Sequence, residues 1–152
     1  MQVIDHSAVS TLSTQECYSL IRTQSVGRLG VVVNHWPVVV PVSFSLDGEV
    51  IVIRSKSGGK LTHANHANVT FEVDSIDEAT RTGWSVLFRG QAEELTPAHD
   101  QDLIRRTKAT GVTPWVPGPD FSWVRIIPHG ISGRRITRLR DTDWDLGTAA
   151  YM

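Results

Sequence analysis

The feature that most constrains the fold is a succession of short segments in which apolar residues recur at every second position, separated by turn residues. This period of two is typical of half-buried strands, and Asn, Asp, Gly and Pro mark their ends. Strands are predicted at Gly27–Val33, Val38–Ser45, Val50–Arg54, Val69–Asp74, Trp84–Leu95 and Ser122–Ile127, and Ile131–Leu139 finishes the sheet. About six antiparallel strands with short helices predict a mainly β (α+β) chain that closes into a small barrel.

Two residues inside these strands indicate where the sheet departs from regular pairing. Pro41 removes a donor from the ladder, which indicates an edge position, a bulge or a bend around a ligand. Gly90 indicates a bend of the kind that barrels use at corners. Because a barrel of this size fills its interior with side chains, a sizeable ligand is expected outside it, on a strand face or between subunits.

Helices and loops are predicted between the strands. Ser13 and Glu16 form a capping box, so a first helix begins there and buries Cys17. A second helix is predicted to open at Thr96-Pro97. The remaining connections are a short helix at Leu61–Ala67, a polar loop at Ser75–Gly83, an irregular loop at Gly111–Asp120 and a turn or bulge at Pro128–Gly130.

Length and charge narrow the function classes. The 152 residues fit one domain, predicted over residues 1–140, with an acidic and then small tail at 141–152 that we expect to be disordered. A net charge of −1 gives no electrostatic case for nucleic acid or membrane partners. With no recognisable signal peptide or membrane-spanning stretch, a cytoplasmic location is expected. His63 and His66 are three residues apart, but surface histidines explain them better than a metal site.

The basic turn at residues 54–61 is the first candidate ligand site. It reads Arg54-Ser55-Lys56-Ser57-Gly58-Gly59-Lys60-Leu61. Glycines let main-chain N–H groups approach a ligand, and the cations and hydroxyls can bind phosphate. It is neither a P-loop nor a dinucleotide fingerprint. Taken locally, a basic surface turn explains these residues at least as well.

A set of motifs also occurs in a fixed order from Leu12 to Arg135. The set is Leu12 with Cys17 and Leu20, Val26-Gly27-Arg28-Leu29-Gly30, Pro37, Pro41-Val42-Ser43-Phe44, Asp47-Gly48, Ile53-Arg54-Ser55, Gly59-Lys60-Leu61, Val69 with Phe71-Glu72-Val73-Asp74, and Trp84-Ser85-Val86 with Gly90. In order and spacing it resembles the pyridoxamine 5'-phosphate oxidase-like family of FMN-binding split β-barrels. The match is closest to short actinobacterial-type members.

The resemblance implies a homodimer with two FMN molecules in clefts between subunits. Arg54 and Lys60 would pair with the FMN phosphate, and Ser55 would hydrogen-bond near it. The other cofactor-binding positions that the resemblance implies are Pro41, Val42, Ser43 and Phe44 along the isoalloxazine ring, Leu61 beside Lys60, Trp84 and Ser85 on the fifth strand, and Trp123 and Arg125 from the neighbouring subunit.

The resemblance implies an FMN-dependent oxidoreductase that transfers electrons between a reduced nicotinamide or small organic substrate and the flavin. In this class the cofactor carries the chemistry, so no acid–base triad is expected. The region that binds substrate phosphate in true pyridoxamine phosphate oxidases is not recognisable here, which argues against vitamin B6 oxidation. Some relatives bind the deazaflavin F420 and others haem. The alternative hypothesis is therefore an F420- or haem-binding protein, acting as a reductase or as a module without turnover.

Overall fold

The computed structural model describes residues 7–56, 66–116 and 118–138. In this part of the chain it contains seven strands and two helices. In chain order they are β1 (Ser7–Thr11), α1 (Thr14–Ile21), β2 (Val26–Val33), β3 (Trp36–Asp47), β4 (Val50–Lys56), β5 (Asn68–Asp77), β6 (Thr82–Glu94), α2 (Gln101–Ala109) and β7 (Phe121–Arg138). No helix among these residues is long and apolar enough to cross a membrane.

All strands join one antiparallel sheet, in the order β1-β7-β4-β3-β2-β5-β6. An additional pairing of β6 with β7 closes it into a split barrel. The predicted barrel is therefore confirmed, but the count of six strands is wrong. The missed strand is β1, whose five residues pair with Arg134–Arg138 of β7 at an edge. Five residues of mixed polarity are too short to show a period.

The core lies inside the barrel and beneath α1. Phe71, Phe88 and Ile126 are fully buried there, and the rings of Phe44 and Phe71 pack edge to face with centroids 5.1 Å apart. Helix α1 begins with the predicted capping box, in which Ser13 and Glu16 exchange two hydrogen bonds of 3.1 Å. Its buried face includes Cys17, which confirms the prediction of a buried thiol.

Several predicted boundaries differ from the structure. Helix α2 starts at Gln101, capped by Asp100, because the main-chain N–H of Thr96 and the ring of His99 close a separate turn ahead of it. The polar loop at 75–83 is mostly strand, and only residues 78–81 turn. Most of the predicted Leu61–Ala67 helix lies outside the described residues, and His66 at its end is a turn residue with φ 68°.

Strand β7 is continuous through the predicted turn or bulge at Pro128–Gly130, which is a bulge. Arg89 pairs with Gly130 but Gly90 pairs with Pro128, so His129 is the extra residue. The bulge explains Gly90, because a Cβ there would lie 2.3 Å from the main-chain oxygen of Ile127.

Strands β3 and β4 separate part-way along the barrel, and this split positions the candidate site. They pair from Phe44↔Ile53 to Asp47↔Val50, and no pair beyond Phe44 joins them in the described chain. From there β3 continues beside β2 alone, while β4 follows β7 to its end at Lys56. The next two residues in register, Ser43 and Arg54, therefore face each other across an opening instead of a ladder.

Candidate functional site

The split opens into a cleft of about 620 Å³, a volume typical of small-molecule sites. Strand β3 forms one side, the end of β4 forms another, and the loop between α2 and β7 forms a wall. Its described lining consists of Val26, Pro41, Val42, Ser43, Arg54, Lys56, Thr113, Pro114, Trp115, Val116, Gly118, Pro119, Asp120 and Phe121. The lining is mainly apolar, with two cations and one carboxylate.

Main-chain groups of both strands point into this opening. Phe44 donates its N–H to Ser25 on the β2 side, at 3.0 Å. Because the two sides alternate along an antiparallel strand, Ser43 and Pro41 direct their main-chain groups away from β2 and towards the cleft. By the same alternation, Arg54 directs its N–H and C=O towards β3. Pro41 therefore occupies an edge position, where its missing N–H breaks no ladder bond.

Arg54 is the most constrained cation of the cleft. Its guanidinium carbon lies 4.1 Å from the centroid of the Trp123 ring, and Nη2 donates to the carbonyl of Phe121 at 3.2 Å. Its Nε is buried and has no hydrogen-bond partner among the described residues. Burial lowers the pKa of Arg54, yet an arginine stays cationic at neutral pH. A held cation with an unused donor is suited to an anionic ligand.

Lys56 adds a second cation, which is not among the predicted site residues. It follows Arg54 by two positions on β4, and both line the cleft. The period of two is the signal that would have identified it. Ser55 lies between them and is paired with Ser122, outside the lining residues. Lys60, the other predicted phosphate-binding residue, and Leu61, predicted to bind the cofactor beside it, lie outside the described residues.

The predicted ring-framing residues divide between two faces of the sheet. Pro41 and Ser43 line the cleft, but the side chain of Phe44 is buried in the core and only its main chain lies near the split. Trp84 packs partly against the core. With Ser85 it lines a second groove, of about 420 Å³, which also includes Arg134 and Ile136. Within one chain this groove shares no described lining residue with the cleft.

Trp123 and Arg125, which the resemblance assigns to a neighbouring subunit, have different surroundings in this chain. Trp123 is the pairing partner of Arg54 and supports its guanidinium. Arg125 is 4% exposed and is absent from the described cleft lining. Its Nη1 donates to Asp47 and to Thr107, both at 2.7 Å. Within the chain, Arg125 thus ties structural elements together.

Trp115 is a cleft residue that is not among the predicted site residues. It lines the cleft while 81% of it is exposed, and its neighbour Val116 is 74% exposed. Large apolar side chains seldom remain so exposed beside a cavity unless a ligand or partner covers them. The sequence signal is a tryptophan within a proline-rich loop.

Comparisons with known proteins agree with this fold. A family model described as pyridoxamine 5'-phosphate oxidase matches residues 13–135. The FAD-binding protein of Mycobacterium smegmatis superposes with a TM-score of 0.73 at 30% identity, covering 86% of this chain and 100% of that chain. An FAD-binding protein of Mesorhizobium loti gives 0.70 at 28% identity, covering 87% of this chain and 99% of that chain.

The curated proteins include a similar chain. Rv0080 of Mycobacterium tuberculosis, an uncharacterized protein, is 30% identical over 135 residues, which are 84% of this chain and 86% of that protein. The family match spans most of the chain, and the two superposed structures share its fold. This chain belongs to the pyridoxamine 5'-phosphate oxidase family.

Proposed function

We propose that this chain is a flavin-dependent oxidoreductase that binds its cofactor in the cleft between β3 and β4. The observation that carries the proposal is Arg54, a cation held against Trp123 with a buried, unused Nε at the point where the two strands separate. Two similar proteins that bind FAD support the ligand class.

The residues present fit a flavin. Arg54 and Lys56 would bind the phosphate through charge-assisted hydrogen bonds, and Lys60 would add to them. The main-chain groups of Pro41 and Ser43 would meet the polar rim of the ring. The bound flavin supplies hydride transfer with a small-molecule substrate. The chain holds the flavin in place and, through the loop wall at residues 113–116 and 118–120, keeps water from it.

We propose FMN as the resident cofactor, because it is the smallest flavin that uses both the cations and the β3 edge. FAD contains the same half, so the same residues would serve it, and it is the ligand of the two similar proteins. F420 shares a three-ring system and a phosphate, and it is the alternative.

We further propose that the protein is a homodimer. The groove beside Trp84 and Ser85 is separate from the cleft within one chain, so both can contribute to one flavin site only across a subunit contact. The sheet face between them is suited to this contact. Pro41, Arg28, Glu72 and Leu87 stand in one row across four strands, and Leu87 is 41% exposed.

Binding is tested by titrating the purified protein with FMN, FAD and F420, using the flavin absorption band and fluorescence. We expect Arg54→Met to weaken flavin binding about tenfold or more, because it removes the cation that meets the phosphate. Arg22→Met, which changes an exposed arginine after α1, is the matched control and should bind as the wild type does. A folded Arg54→Met protein with unchanged affinity would contradict this site.

Activity is tested separately, by adding NADH or NADPH to the flavin-loaded protein without oxygen. Bleaching of the flavin band, followed by its return with an added acceptor, supports an oxidoreductase. A tightly bound flavin that neither nicotinamide nor small organic donors reduce would instead indicate a binding module without turnover.

A further inference from the structure

Arg125 joins three separate parts of the chain. Its Nη1 lies 2.7 Å from the Asp47 carboxylate at the end of β3 and 2.7 Å from the Thr107 hydroxyl on α2, while Arg125 itself belongs to β7. The arginine is 4% exposed and Thr107 is fully buried. Hydrogen bonds to a buried charged group are among the stronger ones in proteins, so this junction is a firm one.

Helix α2 depends on this junction because it has little apolar anchorage. Over Gln101–Ala109, all of which the structure describes, Thr107 is the one fully buried residue, and Leu103 and Ile104 are half-buried. Arg106 approaches Asp47 as well, with its Nε 3.6 Å from the carboxylate. The contacts that hold α2 on the barrel are therefore largely polar, and Arg125 makes the most buried of them.

The loop that walls the cleft starts directly after α2. Thr110 donates its hydroxyl to the Thr107 carbonyl at 2.7 Å, and Gly111, with φ 70°, turns the chain out of the helix. Val112 is buried again, and the cleft lining begins at Thr113. The position of α2 thus sets where the wall begins.

The other end of the same loop, at Phe121, is held by Arg54. Phe121 pairs with Lys56, and its carbonyl accepts a hydrogen bond from Arg54. The wall that carries Trp115 is consequently fixed at one end from inside the cleft and at the other end through α2. Only the first of these anchors touches the cleft.

We propose that Arg125 is a positioning residue, which holds the wall formed by residues 113–116 and 118–120 over the cleft through Thr107 and α2 and so slows release of the bound flavin. This inference rests on the proposed function for its ligand. It replaces a direct contact of Arg125 with the cofactor by an indirect role, because Arg125 is absent from the described cleft lining and its Nη1 is committed to Asp47 and Thr107.

The main test compares flavin association and dissociation rates by stopped flow. We expect Arg125→Met to raise the dissociation rate about tenfold with little change in the association rate. Arg125→Lys, which keeps a charge beside Asp47, should restore part of the loss. Arg105→Met, which removes an exposed α2 arginine paired with Asp102, should leave both rates unchanged. Wild-type dissociation from folded Arg125→Met would overturn the proposal.

Two further measurements keep the test independent of folding and of the cofactor. If Arg125→Met does not fold, Thr107→Val removes the same hydrogen bond on α2 and should raise the dissociation rate in the same direction. Amide hydrogen exchange over 111–120 needs no ligand, and it should speed up in either variant while the β2–β3 ladder is unchanged. If the wild type binds no flavin, the proposed function fails, and unchanged exchange would show separately that the positioning role fails.

Discussion

At the scale of the residue, three arginines show how surroundings decide what one side chain does. Arg54 stacks on Trp123 and keeps an unused donor, whereas Arg125 is buried with its Nη1 committed to two acceptors. Arg28 lies half-exposed near the carboxylates of Glu72 and Asp74. The basic turn in the sequence predicts Arg54 as a ligand-binding residue, and the structure places it in the cleft lining. The resemblance placed Arg125 in the cofactor site. Its actual partners, Asp47 and Thr107, could not be predicted because they are distant from it in the sequence.

Glu72 gives a pH-dependent prediction at this scale. Burial, a hydrogen bond with Asp74 and the charge of Asp74 raise the pKa of Glu72 to about 7, against the opposing charge of Arg28. The folded-state pKa of Glu72 lies above the unfolded value of 4.5. The contribution of Glu72 to the free energy of unfolding should therefore be complete below pH 4.5 and be lost as the pH rises through about 7. Glu72→Gln should therefore be more stable than the wild type at pH 8, on the order of 1 kcal/mol after allowance for solvent screening.

The measurement is chemical denaturation of both proteins between pH 4.5 and 8. Glu78→Gln, in the exposed turn between β5 and β6, is the matched control and should follow the wild-type pH profile. Parallel pH profiles of Glu72→Gln and the wild type would show that Glu72 is ionised without cost in the folded protein.

At the scale of the element, the strands show what periodicity reveals and what it conceals. The alternation of β2, β4 and β6 predicted them closely, and so did the capping box of α1. The separation of β3 from β4 could not be predicted, because Ser43 and Arg54 would suit a continuous ladder equally well. Pro41 alone indicated an edge, and it did not indicate which neighbour was missing.

The bulge at Gly90 gives the prediction for an element. An added Cβ would lie 2.3 Å from the Ile127 oxygen and 2.9 Å from the Ile126 side chain, so main chain must move to admit it. We expect Gly90→Ala to destabilise the protein by about 1–3 kcal/mol. Gly130→Ala, in the same bulge, meets only the flexible end of Arg89 at 3.3 Å and should cost less than about 0.5 kcal/mol.

Thermal unfolding followed by circular dichroism measures both variants against the wild type. If Gly90→Ala unfolds at the same temperature as Gly130→Ala, β6 and β7 adjust their register freely at this point. Gly90 would then be dispensable for the corner of the barrel.

At the scale of the whole molecule, the two halves of the proposed flavin site lie apart in one chain. The cleft has the cations and the β3 edge, whereas Trp84 and Ser85 line the separate groove. The sheet face between them carries exposed apolar residues, including Val39 at 68% and Leu87 at 41%. A second copy that covers this face would bury these residues and bring its groove to the cleft of the first.

This arrangement predicts that assembly and flavin binding are lost together. Leu87→Asp places a charge in the row of Pro41, Arg28 and Glu72, beside an existing carboxylate, so it should separate the subunits and weaken flavin binding in parallel. Ser19→Asp adds the same charge to the exposed side of α1 and should change neither property. Light scattering coupled to size exclusion gives the mass, and titration gives the affinity. A wild type that binds flavin tightly as a monomer would place the complete site within one chain, and the role of Trp84 and Ser85 would then be structural.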